Sequence, residues 1–274
     1  MKLPSFGWML VASTLVVLLA AHLPGLAFST LTVPDALRTI LSALLTGSVL
    51  SLALTFCRWS GVRAAAGVFM LFWGVSYFNT VNEAVFFRLV FGSTSFGQLA
   101  LACTAAAVVV AIGLTFITGR WREGATPSVA EEMSVRSPVG WACRLLLTAF
   151  AYVVFYFVAG MIIFPFVQEF YSGRELPGLG TIFVVQIFRG LVYAGIGVMV
   201  IRMVILSRNA TALLIGAALS ILGGIAPLLP PNEMMPEQVR MVHMAEVGVS
   251  NFLFGLVLAR VLDLRVRTSR KQAL

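Results

Sequence analysis

A chain of 274 residues that is 59% hydrophobic and only 11% Asp, Glu, Lys and Arg has too few charges for the surface of a soluble domain, which carries roughly 25% charged residues. Its formal net charge of +8 comes from Lys and Arg residues scattered singly between apolar runs; there is no basic patch interleaved with exposed aromatics, which argues against nucleic acid as a partner. Cys57, Cys103 and Cys143 form no CxxC pair and no Cys/His cluster, so they read as thiols in apolar surroundings, and no cofactor is implied.

A helix needs about 20 residues to cross the hydrocarbon core of a bilayer. Eight apolar runs reach that length, at approximately 6–28, 36–57, 62–90, 96–118, 139–168, 179–206, 210–229 and 237–262. The fold class that follows is all-α: a polytopic transmembrane helix bundle of about eight spans, forming a single membrane domain over 1–274. The first run follows a lone Lys2 and resembles a signal peptide, but from Phe6 to about Phe28 it exceeds the usual apolar core of such a peptide and predicts a retained helix. His22-Leu23-Pro24-Gly25 through Val33-Pro34 closes it and leaves His22 in an outer loop of its own. Arg58-Trp59-Ser60-Gly61 ends the second run, and Gly92-Ser93-Thr94-Ser95 ends the third. The stretch 119–138, with Arg120, Arg122, Glu123, Glu131, Glu132 and Arg136 around Pro127, is a cytoplasmic loop or a short surface helix. Ser172 to Gly178, Ser207-Arg208-Asn209 and Pro227 to Pro236 separate the remaining runs. Such irregular stretches belong at the membrane surfaces, because lipid offers no partner to an unpaired amide.

The positive-inside rule sets the orientation. With both termini in the cytoplasm, fourteen of the nineteen Lys and Arg residues fall on the inner side, while Arg38, Arg88, Arg174, Arg189 and Arg240 fall in the outer half. The basic tail from Arg265 to Lys271 reads as a topology anchor or, in an assembly or sensory subunit, as a segment that meets anionic lipid or a cytoplasmic partner. This places the protein in a plasma membrane such as the bacterial inner membrane, as a multi-pass protein whose evident partner is the lipid bilayer.

An ionisable group near the bilayer centre costs about 2.5–3.5 kcal/mol on insertion scales, so such groups usually face a cavity or one another. In the third span, Asn79, Asn82 and Glu83 share a helix face, with Glu83 near the outer rim. In the fifth, Gln168 and Glu169 stand beside Tyr171 as a rim, and Pro165 offers a kink or hinge. In the sixth, Gln186, Arg189 and Tyr193 share a face. In the eighth, His243, Glu246 and Ser250 fall within about a 60° sector. Counting about 1.5 Å per residue puts Arg189 and Glu246 at a similar depth, about 15 Å below the outer surface, which predicts that they meet directly or through water. Small residues at three- or four-residue spacing, Gly216, Ser220 and Gly224 in the seventh span and Gly190, Ala194 and Gly197 in the sixth, predict close helix packing.

Length and span number resemble the eight-helix intramembrane prenyl-protease family. Its Glu-Glu-x-x-x-Arg motif, however, is met here only by Asn82-Glu83 with Arg88 one residue too far, and its two histidines by His243 alone, so its activity is not implied. No HExxH motif, Gly-rich nucleotide loop or nucleophile elbow occurs. The sequence favours a gradient-driven transporter or permease for a small solute, with Asn79, Asn82, Glu83, Gln186, Arg189, His243, Glu246 and Ser250 as solute- or proton-binding candidates. One alternative is an intramembrane metal-dependent enzyme using His243 and Glu246. Another is a non-catalytic assembly or sensory subunit.

Overall fold

The computed structural model of the chain describes residues 6–22, 32–87, 96–121, 137–172, 176–232 and 235–262, with the backbone alone for 83–87. The described residues form an all-α bundle of about eight helices. Helix α1 is Phe6–His22, and α2 is Val33–Thr55. Helix α3 is continuous through Gly61–Phe72, Trp73–Tyr77 and Phe78–Phe87. Next come α4 (Phe96–Ile117), α5 (Pro138–Tyr171), α6 (Leu179–Met203), α7 (Arg208–Leu228) and α8 (Glu237–Leu262). Seven of these are long and apolar enough to cross a membrane, and α1 is a shorter apolar helix. The chain therefore has the architecture of a multi-pass membrane protein.

The helix starts follow from local chemistry. The Thr32 hydroxyl accepts from the Asp35 N–H ahead of α2, Ser137 accepts from Gly140 ahead of α5, and Ser207 accepts from Ala210 ahead of α7. Pro34 and Pro138 occupy the first turns, where no amide donor is required. At the end of α4, Gly119 adopts φ 75°, the left-handed conformation that lets the chain leave a helix without a side-chain clash. Pro165 lies inside α5, and the helix continues past it to Tyr171 for 34 residues in all, about 51 Å. Gln168, Glu169 and Tyr171 are thus the last turn of a helix.

Polarity runs inward. Met161, Phe164, Phe166 and Phe188 are exposed, whereas Ser13, Thr115, Gln186, Arg189 and Asn251 are buried. Water would favour the reverse, but lipid tails solvate exposed apolar side chains and leave buried polar groups to bond across helices. The small-residue stripes make that close approach possible. Gly216 backs onto Phe252 and Gly255, Gly224 onto Val247 and Gly248, Gly190 onto Ala149 and Tyr152, and Gly197 onto Leu258. Cys57 and Cys103 are buried as expected, while Cys143 is exposed on α5.

Neighbouring helices alternate in direction, so the start of α1 and the finish of α8 lie at one end of the bundle. Arginines collect there, where the C-termini of the even-numbered helices leave carbonyls unpaired. Arg120 donates from Nε to Leu54 O at 3.0 Å and from Nη2 to Thr55 O at 2.8 Å. Arg58 reaches Val204 O at 3.3 Å, and Arg144 donates to Val261 O. A short antiparallel bridge, Arg58 N–H to Met203 O and Ile205 N–H to Phe56 O, both 2.8 Å, ties α2 to α6. Cys57 lies in this bridge, where burial pushes its thiol above the usual range and keeps it protonated. Guanidinium groups at helix C-termini also complement the macrodipole. We expect Arg120→Ala to lower stability by about 2 kcal/mol, the scale of hydrogen bonds made by a charged group, with Arg120→Lys restoring part of it. An unchanged melting temperature in detergent would remove the capping role.

Candidate functional site

Two polar clusters lie between the helices. The first is a chain of hydrogen bonds from α5 to α8. The Tyr171 hydroxyl lies 2.9 Å from His243 Nε2, and His243 Nδ1 lies 2.7 Å from Glu246 Oε2. One turn of α8 separates the imidazole from the carboxylate, so helical geometry alone aligns them. Tyr171 is brought to them by the final turn of α5, which also sets its ring edge-on to the imidazole. The Glu246 side chain is only 9% exposed. Its Oε1 lies 3.8 Å from where a Cβ on Gly160 would stand, so the glycine leaves room beside the carboxylate. Ser250, on the same face of α8, bonds back to Val247 O of its own helix and takes no part in the chain.

With Glu246 ionised, its carboxylate only accepts, so the His243 Nδ1–H donates to it and Nε2 accepts from the Tyr171 hydroxyl. If a proton is added at Nε2, the phenol oxygen becomes the acceptor and the chain stays bonded. Both protonation states are therefore accommodated without moving a helix.

The second cluster joins four helices. Asn79 Nδ2 of α3 donates to Val75 O at 2.9 Å and to the Tyr193 hydroxyl of α6 at 2.7 Å. Asn251 Nδ2 of α8 donates to Leu219 O of α7 at 3.3 Å. Gly223 of α7 fits between them, facing Asn251, Val75 and the Tyr193 oxygen. Two local widenings of the helix shape this node: Trp73–Tyr77 in α3 and Ile221–Ile225 in α7 are π-helical turns, a feature often found at functional positions. Tyr193 is fully buried, with Tyr152 and Phe254 edge-on or tilted against it. Asn82, Gln186 and Arg189 are also buried, with Gln186 and Arg189 on the Tyr193 face of α6. Among the described residues, the Asn79 Oδ1 and Gln186 Oε1 acceptors have no hydrogen-bond donor.

Tyr193→Phe should cost about 1 kcal/mol by withdrawing the acceptor from Asn79. A double-mutant cycle with Asn79→Ala should return a coupling of similar size, whereas additive losses would show that the bond contributes nothing.

Several sequence-based expectations change. Arg189 and Glu246 form no direct ion pair among the described residues: the carboxylate bonds to His243 and lies beside Gly160 of α5. His22 is not isolated in a loop. It ends α1, with Nε2 3.3 Å from the Ser42 hydroxyl of α2. Glu83 falls on α3 but its side chain lies outside the described residues, as do Arg88, Arg174, most of the 119–138 loop and the basic tail. Asn251 and Gly223 escaped the sequence reading: Asn251 follows Ser250 by one residue, about 100° round the helix, and so lies off the face shared by His243, Glu246 and Ser250. Among the described residues no group of three His, Cys, Asp or Glu residues is arranged to hold a metal ion, and His243 and Glu246 spend their facing atoms on each other. No protein-family model, curated protein or solved structure matches the chain, so its membership of the multi-pass membrane proteins rests on its own helices.

Proposed function

We propose that the protein is a gradient-driven permease that moves a small polar solute in step with protons, in a plasma membrane with its arginine-rich end in the cytoplasm. The observation that carries this reading is the Tyr171–His243–Glu246 chain, a titratable relay held between two helices inside an apolar bundle. A proton arriving past Tyr171 binds Nε2 and makes the ring an imidazolium. The Nδ1 proton then passes to Glu246 Oε2, leaving a neutral ring with its proton on Nε2 and a neutral carboxylic acid. One proton has entered, one has been delivered, and the carboxylate charge between α5 and α8 has been removed. In low dielectric such a change alters strongly how two helices attract each other and their surroundings. The node of Asn79, Tyr193 and Asn251, together with Gln186 on the Tyr193 face of α6, offers two amide oxygens without a donor among the described residues and suits a solute that carries hydroxyl or amino donors.

The test is reconstitution into vesicles loaded with a pH-sensitive dye, followed by inward gradients of sugars, amino acids and polyols. The expected result is lumenal acidification driven by one solute class and absent in empty vesicles. If every solute class leaves protein-containing vesicles as proton-tight as empty ones, the permease reading is wrong.

A further inference from the structure

At the end of the bundle opposite the arginine cluster, Arg240 is 3% exposed in the first turn of α8, and its Nε has no hydrogen-bond partner. No carboxylate lies within ion-pair range of its guanidinium among the described residues. At this end, Asp35 and Glu237 are both committed to Arg38. Asp35 lies 3.4 Å from Arg38, and Glu237, one turn before Arg240, also pairs with Arg38. A guanidinium offers five N–H donors, stays charged under all ordinary conditions and is costly to bury without a counter-charge. Its stem leans toward the start of the helix, where the first-turn amides lie beyond the reach of the helix's own carbonyls. The first helical amide bond there is Arg240 N–H to Pro236 O at 3.0 Å. A buried cation and the amides of a helix N-terminus thus lie within one turn of each other, an arrangement suited to a single anionic group.

We infer that Arg240 and the first turn of α8 form a binding site for one oxyanion, a carboxylate or a phosphate, at this end of the bundle. The planar guanidinium takes two oxygens of the anion side by side, and the helix amides take the remaining lone pairs. Bound there, the anion sits one helical turn from His243 and supplies the counter-charge that the described residues do not. The site does not depend on the permease reading, and its test measures binding alone.

The experiment uses the full chain, delipidated in neutral detergent, and follows its melting temperature and calorimetric binding during titration with inorganic phosphate and with acetate, with chloride at equal ionic strength as control. Saturable stabilisation by phosphate or acetate, but not chloride, is expected. Arg240→Gln should weaken binding about tenfold or more, with Arg240→Lys in between. Arg240→Met should melt no lower than the ligand-free wild type, because it removes a buried charge with no partner. Nanodiscs of phosphatidylcholine with or without phosphatidylglycerol identify the source. Competition between phosphatidylglycerol and phosphate for the Arg240-dependent signal assigns the site to a lipid headgroup, and its absence assigns it to a soluble anion. The inference is overturned if no anion stabilises the wild type, if Arg240→Gln binds as well as wild type, or if Arg240→Met melts well below it, which would mean that a protein group already holds the guanidinium.

Discussion

Glu246→Gln is expected to reduce solute-coupled proton flux by about 100-fold or more, the scale of losing a positioned proton-transfer group. The amide keeps the size of the side chain and still accepts the His243 Nδ1–H, so the packing between Gly160 and α8 is preserved. It has no basic oxygen to receive the proton, and the relay stops at the imidazole. His243→Gln should be equally severe, because it breaks both bonds of the chain. Tyr171→Phe should be milder, since it removes only the phenol and leaves the imidazole–carboxylate pair intact. Initial rates of dye acidification at matched protein incorporation measure all three. Coupled flux by Glu246→Gln at the wild-type rate would dismiss the relay, whereas the graded order would place Tyr171 at its entrance.

Gly255→Ala should destabilise the bundle by about 1–3 kcal/mol, the usual cost of overpacking a filled interior. The added methyl would stand 2.6 Å from Gly216 Cα and 2.9 Å from Gly216 N. These are backbone atoms of α7, so no rotamer change relieves the clash and the α7–α8 pair must separate. Gly197→Ala supplies the contrast: its closest neighbour is the flexible Leu258 side chain, which turns away more cheaply. Gly195 has nothing within 4 Å of a new Cβ, and there alanine should be neutral or mildly stabilising through helix propensity. Melting in detergent ranks the three. If Gly255→Ala and Gly195→Ala behave alike, direct helix contact is not what holds α7 to α8.

The eight apolar segments, their approximate ends and the glycine stripes of the sixth and seventh helices were legible in the sequence, because each depends on residues close together in the chain. Partition into lipid is nearly additive along a segment, and a breaker such as Gly119 or Pro34 acts where it stands. The i,i+3 pairing of His243 with Glu246 was legible for the same reason: one helix carries both groups. What tertiary structure decided was which helices face one another and at what rotation. Equal depth suggested that Arg189 and Glu246 would meet directly or through water, but depth is only one of the coordinates that place a side chain, and the rotation of α8 turns Glu246 toward His243 and α5 with no direct ion pair to Arg189. The same non-local geometry brought Tyr171 to His243, His22 to Ser42, and Asn79 to Tyr193 beside Gly223 and Asn251, contacts set by the packing of side chains distant in sequence and invisible to any periodicity within one span.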